Sequence, residues 1–315
     1  MSFWRFLPIF LFLLFSSCSQ NGSSTFKFGD TDGDLVCDAP TDSADQLDPN
    51  RLIFAYTPVE DPAVYKDVWA EFIEHLEKTT GKEVTFFPVQ TPAAQLEAMR
   101  AGRLHVTGFN SGSVPLAVNV CGFVPFTMMA SEDGSYGYEM ELIVPAASPI
   151  RKPGDLKGKQ LAFTSPTSNS GFKAPSVILK SQFKLEAERD FKPVFSGKHD
   201  NSILGVANGD YEAAAVANTV LQRMVDRNVV KTSDYRMIFK SETFPTTAYG
   251  YAHNLKPSLA TKIREAFETF EWQGTKLAEE FSKSDEAQFI PITYKEHWQV
   301  IREIDEANGV VYQID

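Results

Sequence analysis

The chain has 315 residues, 43% of them hydrophobic, and a formal net charge of −11. That length and apolar content suffice for two lobes of ordinary domain size, each with its own core, and exclude a disordered chain. The acidic balance argues against nucleic acid or an anionic membrane surface as a partner, so any anion the protein holds must be held by local groups.

Residues 1–18 read as an export signal: Arg5, an apolar run from Phe6 to Phe15, then small residues before Cys18. The run is shorter than the roughly 20 residues of a membrane span, which makes an uncleaved anchor the weaker alternative. Phe15-Ser-Ser-Cys18 resembles a bacterial lipobox, with Phe15 where leucine is usual. The resemblance implies a lipid on Cys18 and a mature protein that is exported, periplasmic or on the cell surface, and anchored to the membrane. Residues 19–50 are rich in Ser, Gly, Asp and Thr and read as a flexible polar linker. Within it Asp30, Asp32, Asp34 and Asp38 surround Gly33 at the spacing of a calcium loop, but Leu35 stands where an EF-hand carries glycine, so a solvated acidic stretch competes with a metal site. Cys37 and Cys121 can pair in an oxidising compartment or remain two thiols; the spacing leaves both open, and two cysteines make no zinc site.

From Arg51 onward short apolar runs alternate with helical periodicity, the α/β signature. The expected order is a strand over Leu52–Tyr56 and a helix opened by Asp61-Pro62, with Tyr65, Val68, Trp69, Phe72, Ile73 and Leu76 on one stripe. A strand over Val84–Val89 follows, then a helix from Thr91-Pro92 to Gly102, a strand over His105–Phe109 and a short helix over Gly112–Val120. After a crossover around Tyr138–Ala147 come a strand over Gln160–Thr164, helices over Gly171–Phe183 and Asp200–Asn208, and a strand over Glu212–Val216. Tyr249–His253 returns as a strand, followed by helices over Pro257–Phe270 and Tyr294–Asn308. The expected architecture is therefore a two-lobed α/β fold. Residues 51–140 with 246–315 form the first lobe and 141–245 the second, with a ligand cleft between them that closes by a hinge.

Phe163-Thr-Ser-Pro-Thr-Ser-Asn-Ser-Gly171 lies between a strand and a helix. A helix start offers unpaired N–H groups and a partial positive charge, so an anion gains hydrogen bonds there without a lysine. Ser168, Asn169 and Ser170 would add side-chain donors, and the amides through Gly171 complete the cradle; an ordinary N-cap with surplus polar residues is the competing reading. His199, in Phe195-Ser-Gly-Lys-His-Asp, can give a ring hydrogen to a phosphoryl oxygen, a bond that protonation would strengthen, or can be a surface or capping residue. Asn218 ends an apolar strand facing the crevice, or caps the helix that follows.

Taken together, residues 51–310 resemble the phosphate, phosphite and phosphonate substrate-binding proteins of ABC transporters, the PhnD-like group with the type II periplasmic-binding-protein fold. The family's D-P-x-S-T-S-G-Y-x-x-P-like loop reads Ser165-Pro-Thr-Ser-Asn-Ser-Gly-Phe-Lys-Ala-Pro175 here. Its later G-x-H and alanine-rich pattern reads Gly197-Lys-His199 and Gly205 through Val216, and its early aromatic-x-Pro is Tyr56-Thr-Pro58. The resemblance implies a small phosphorus oxyanion bound by Ser168, Asn169, Ser170 and Gly171, with Tyr56, Asn110 and Ser111 closing from the other lobe and His199 and Asn218 selecting protonation state and substituent. It also implies a monomer without cofactor that delivers its cargo to an ABC transporter permease. Asn169 departs from the family's threonine, and Phe109-Asn-Ser-Gly-Ser-Val114 lacks the family's tyrosine. Asn218 stands where some members carry an acid, so the resemblance favours a simple oxyanion or small alkylphosphonate over aminoethylphosphonate. The rivals are the same fold with a sulfonate or thiamine-precursor pyrimidine, which needs an arginine fork or stacking aromatics, and a secreted hydrolase. The sequence holds no P-loop, G-x-S-x-G or H-E-x-x-H motif to support the hydrolase.

Overall fold

The computed structural model describes residues 29–312. The export signal and Cys18 lie outside the described residues. In chain order the first part contains β1 (Arg51–Ala55), α1 (Ala70–Thr80), β2 (Glu83–Phe86), α2 (Pro92–Arg100), β3 (Val106–Phe109), α3 (Val114–Cys121) and β4 (Phe123–Ala130). The middle contains β5 (Tyr138–Pro145), β6 (Gln160–Phe163), α4 (Ala174–Phe183), β7 (Lys192–Phe195), α5 (His199–Asn208), β8 (Ala213–Ala217), α6 (Asn218–Asp226) and β9 (Tyr235–Phe244). The chain then returns through β10 (Ala248–Ala252), α7 (Pro257–Glu268), α8 (Lys276–Phe281), β11 (Gln288–Pro291), α9 (Tyr294–His297) and α10 (Gln299–Ala307).

Two sheets result, ordered β11-β4-β10-β3-β1-β2 and β7-β6-β8-β5-β9. Parallel pairs (β1 with β2 and β3, β6 with β7 and β8) are joined through helices, as parallel strands require. The returning β10 runs antiparallel between β3 and β4. The chain thus crosses between the sheets twice, through 131–137 and 245–247. The first sheet packs on an aromatic core in which Phe54 meets Trp69 at 4.9 Å and Phe72 meets Phe267 at 4.5 Å. In the second sheet every residue of β8 is buried, and its small alanines let helices approach closely on both faces.

Several elements differ from the sequence reading. Asp61-Pro62 opens a single 3-10 turn, Pro62–Val64, capped by the Asp61 carboxylate, and α1 begins only at Ala70; Tyr65, Trp69, Phe72 and Leu76 are buried along the whole stretch. The helix expected over Tyr294–Asn308 breaks at Trp298. Tyr138–Ala147, expected as a crossover, is instead the interior strand β5, and the crossover lies before it; strands β4, β7, β9 and β11 have no counterpart in the sequence pattern, because β4 is buried on both faces and interrupted by Pro125, so it shows no alternation, and β7, β9 and β11 are edges.

Residues 29–50 do not stand off as a tether. Leu47 donates its N–H to the Asn254 carbonyl at 2.7 Å and accepts from Lys256 N–H at 2.8 Å. Asp48 pairs with Lys82 at 2.6 Å, and Val36 and Cys37 are buried. Asp30, Asp32 and Asp34 bring carboxylate oxygens within 4.8 Å of one another, but Asp30 already accepts from the amides of Gly33, Asp34 and Leu35, and Asp38 from Thr31. Cys37 and Cys121 do not bond to each other; Cys121 Sγ donates to the Leu96 carbonyl.

Candidate functional site

At the end of β6 the chain turns through Thr164–Ser168 into one wide helical turn, Asn169–Lys173, which runs on into α4. Local chemistry dictates this shape. The Ser168 hydroxyl caps the turn by accepting the Gly171 N–H at 3.0 Å. Pro175 has no N–H to return to Gly171, and the Gly171 carbonyl instead accepts from Thr164 N–H at 3.0 Å. That packing leaves no room for a side chain: a Cβ on Gly171 would lie 1.9 Å from Thr164 Oγ1. The N–H groups of Asn169 and Ser170, first in the turn, have no carbonyl one turn earlier to bind.

This turn forms one wall of a cavity of ≈ 50 Å³ between the sheets, where Ser168, Asn169, Ser170 and His199 face Tyr56, Asn110 and Ser111. Seven of the nine residues named from sequence therefore converge. Gly171 stands behind the wall with its N–H consumed by Ser168. Asn218 is drawn away: its Oδ1 accepts from Glu139 N–H at 3.0 Å and Thr219 N–H at 2.8 Å, and its Nδ2 donates to the Glu139 carboxylate. It clamps the start of α6 to β5, and its neighbour Thr219 lines the cavity instead. The inference drawn from a neutral group at position 218 falls with it.

His199 is fixed by both ends. Its N–H donates to the Val59 carbonyl at 3.1 Å, across the two sheets, and its Nδ1 accepts from Ala217 N–H at 3.1 Å. The ring proton therefore sits on Nε2, 3.5 Å from Ser168 Oγ and facing the cavity. Burial, with the nearby Arg223 charge, pushes its pKa down to about 3. The imidazole is thus a neutral single donor, where the sequence reading had expected protonation to strengthen it.

The sequence reading missed Tyr138, Arg223, Thr246, Thr247 and Glu286. Tyr138 opens β5 at the crossover, and its hydroxyl, surrounded by Ser170, Asn169 and Ser111, is kept protonated by burial. Arg223 and Glu286 are the charged lining groups among the described residues. Arg223 is 3% exposed, donates to Ser284 Oγ at 2.9 Å and lies 3.7–3.9 Å from Glu60, Glu280 and Glu286. Its Nε and Asn169 Oδ1 are buried polar atoms without a hydrogen-bond partner among the described residues. Arg223 occupies the stripe of α6 that also carries Val220 and Met224, which gave the one available signal: an arginine at a buried helical position.

The lobes are closed over this space. Lys173 Nζ, from the Asn169–Lys173 turn, meets Asp305 of α10 at 2.7 Å and the Gly112 carbonyl at 2.8 Å. Asp200 accepts from Asp61 N–H at 3.0 Å, and Arg227 pairs with Glu60 at 2.5 Å. The approach needs glycine at 112, since a Cβ there would lie 2.3 Å from Thr167 O and 2.5 Å from Asn169 N.

Two α/β halves, crossed twice and meeting over a small polar cavity with a helix start in its wall, have the architecture of a two-lobed substrate-binding protein. A family model described as "ABC transporter, phosphonate, periplasmic substrate-binding protein" matches residues 54–298, and the chain belongs to that family. Its members are binding components of transport systems rather than enzymes. The chain is 27% identical over 240 residues to the phosphate-import protein PhnD of Mycolicibacterium smegmatis, 73% of this chain and 75% of that protein. It is 28% identical over 220 residues to the phosphonates-binding periplasmic protein of Escherichia coli, 69% of this chain and 65% of that protein. Among solved structures, PhnD1 of Prochlorococcus marinus in complex with methylphosphonate superposes with a TM-score of 0.73 at 19% identity, covering 84% of this chain and 100% of that one. A binding component of a phosphonate transporter from Pseudomonas aeruginosa gives 0.74 at 19% identity, covering 82% and 86%. At that identity both speak for the fold.

Proposed function

We propose that the chain captures a small phosphorus oxyanion in this cavity and presents it, closed, to an ABC permease, held near it by a lipid on Cys18. The observation that carries the reading is the wall made of Ser168, Asn169 and Ser170 with His199 Nε2–H beside it: hydroxyls, first-turn amides and a ring N–H converge where no lysine does. These uncharged donors fit a tetrahedral anion, and the Arg223 guanidinium adds attraction from the opposite side. Size supports a compact ligand. A cavity of ≈ 50 Å³ holds about four waters at roughly 10–15 Å³ each, which suits phosphate, phosphite or methylphosphonate and leaves aminoethylphosphonate cramped.

Calorimetric titration with phosphate, phosphite, methylphosphonate, aminoethylphosphonate and sulfate tests the reading. Binding of one or more of the three compact phosphorus anions, weakened by about 1–3 kcal/mol in Ser170→Ala, is the expected result. No heat with any phosphorus anion refutes it, and an unchanged Ser170→Ala removes that hydroxyl from the site. Loss of membrane association in Cys18→Ala tests the anchor.

A further inference from the structure

Three glutamates surround Arg223, and they are not equivalent. Glu60 has Arg227 at 2.5 Å and Glu280 has Lys283 at 2.8 Å. Glu286 has Arg223 at 3.8 Å and the Ser284 hydroxyl, which donates to it at 3.0 Å. Of the three, Glu286 is the one that lines the cavity. Glu286 and the Ser168–Ser170 turn line the same small cavity, so an oxyanion seated on the turn would have this carboxylate in reach across it. A carboxylate accepts hydrogen bonds and repels bare oxygens; it tolerates a ligand oxygen only when one proton lies between them.

We propose that Glu286 is the specificity-determining acceptor of the site, sharing one proton with the ligand, so that the protein takes phosphorus oxyanions that still carry an acidic hydroxyl. This rests on the phosphorus-oxyanion reading above and narrows it. Hydrogen phosphate keeps such a hydroxyl at every physiological pH, whereas phosphite and methylphosphonate lose theirs at the second dissociation. The groups around Glu286 are compatible with the role. Arg223 faces it from α6 with Arg227 just past the end of that helix, Tyr56 and Glu60 from the loop after β1, and Tyr249 from β10. Glu280 and Lys283 come from α8 and the turn after it, Asp285 is its chain neighbour, and His199 is neutral across the cavity. On the outer side a surface pocket shares Glu286 with Tyr136 and Glu139. Burial raises the Glu286 carboxyl above the ordinary range, against the pull of Arg223, making it a more basic acceptor.

The test is titration calorimetry of the wild-type protein with inorganic phosphate, phosphite and methylphosphonate at about pH 6 and about pH 8.5, on either side of a phosphoryl group's second dissociation. Phosphate affinity should hold within about threefold, while the other two weaken roughly tenfold or more as the protonated fraction falls. Glu286→Gln, whose amide can donate to a bare oxygen, should remove most of that loss. Wild-type affinity for methylphosphonate and phosphite that is equal at both pH values overturns the proposal without touching the phosphorus-oxyanion reading, as does a Glu286→Gln variant with the wild-type loss. Absence of binding by all three anions overturns both. The wild-type comparison decides even if the variant fails to fold.

Discussion

Replacing Lys173 by methionine removes one half of an ion pair that is out of water on both sides: the lysine side chain is 5% exposed and Asp305 1%. Asp305 Oδ2 would keep the Tyr312 hydroxyl at 3.0 Å, but Oδ1, which faces Lys173 at 2.7 Å, would be left without a counter-charge, as would the Gly112 carbonyl without its donor. Stranding one member of a buried pair costs about 3–5 kcal/mol. Where that cost appears is informative, because Lys173 belongs to the Asn169–Lys173 turn while Gly112 and Asp305 belong to the other half. If the pair persists when the lobes open, urea unfolding of the ligand-free protein loses about 3–5 kcal/mol. If it forms only on closure, unfolding hardly changes and anion affinity falls instead, by roughly two to more than three orders of magnitude for the same energy. Lys173→Met with Asp305→Leu removes both charges and should recover most of the loss, since apolar replacement of a buried pair is close to neutral. Unfolding and affinity both within about 1 kcal/mol of wild type in the single variant would refute the reasoning.

Two further outcomes are expected. The folded-state pKa of His199 lies at about 3 against an ordinary 6.5, so between those values the unfolded chain binds more protons; His199 therefore adds stability that is fully present above the higher value and is lost as pH falls toward the lower. The difference in urea stability between wild type and His199→Gln should grow with rising pH across that window and then level off, and a difference of opposite slope would show an imidazolium in the folded protein. Gly112→Ala places a methyl against backbone atoms of Thr167 and Asn169, which cannot yield as side chains do. Small-angle scattering with saturating anion should show a wider closed form and affinity should fall by about tenfold or more, whereas unchanged values would mean that the loops meet elsewhere.

The strand-to-helix turn after β6 was legible because its chemistry is local. Hydroxyls, an amide and glycine crowd a strand-to-helix junction, and the cap from Ser168 to Gly171 and the Thr164–Gly171 bond that shape it lie within residues 164–175. The two α/β halves were legible for the same reason, since strand and helix periods repeat within short windows. What failed was placement that depends on distant chain. Glu286 precedes a short strand with nothing local to mark it and reaches the cavity only because β11 pairs with β4. Asn218 sat at a strand end, where side chains often face a crevice, but the Glu139 carboxylate and amide on the neighbouring strand captured it. Segment 29–50 was expected to float because its composition is polar, yet two backbone hydrogen bonds at Leu47 and ion pairs at Asp48 seat it without a large apolar face. Composition alone cannot report such contacts.

The break at Trp298 reaches further than a kink in a helix. The Trp298 indole donates to the Ser111 carbonyl at 2.9 Å, and the segment beyond it supplies Asp305 to Lys173 and Asn308 Nδ2 to the Lys173 carbonyl at 3.1 Å. Both walls of the cavity are thus fastened by one stretch near residue 300. The pocket is therefore complete only with residues up to 308 in place, and a chain cut before Gln299 would lose the Asp305 and Asn308 contacts to Lys173.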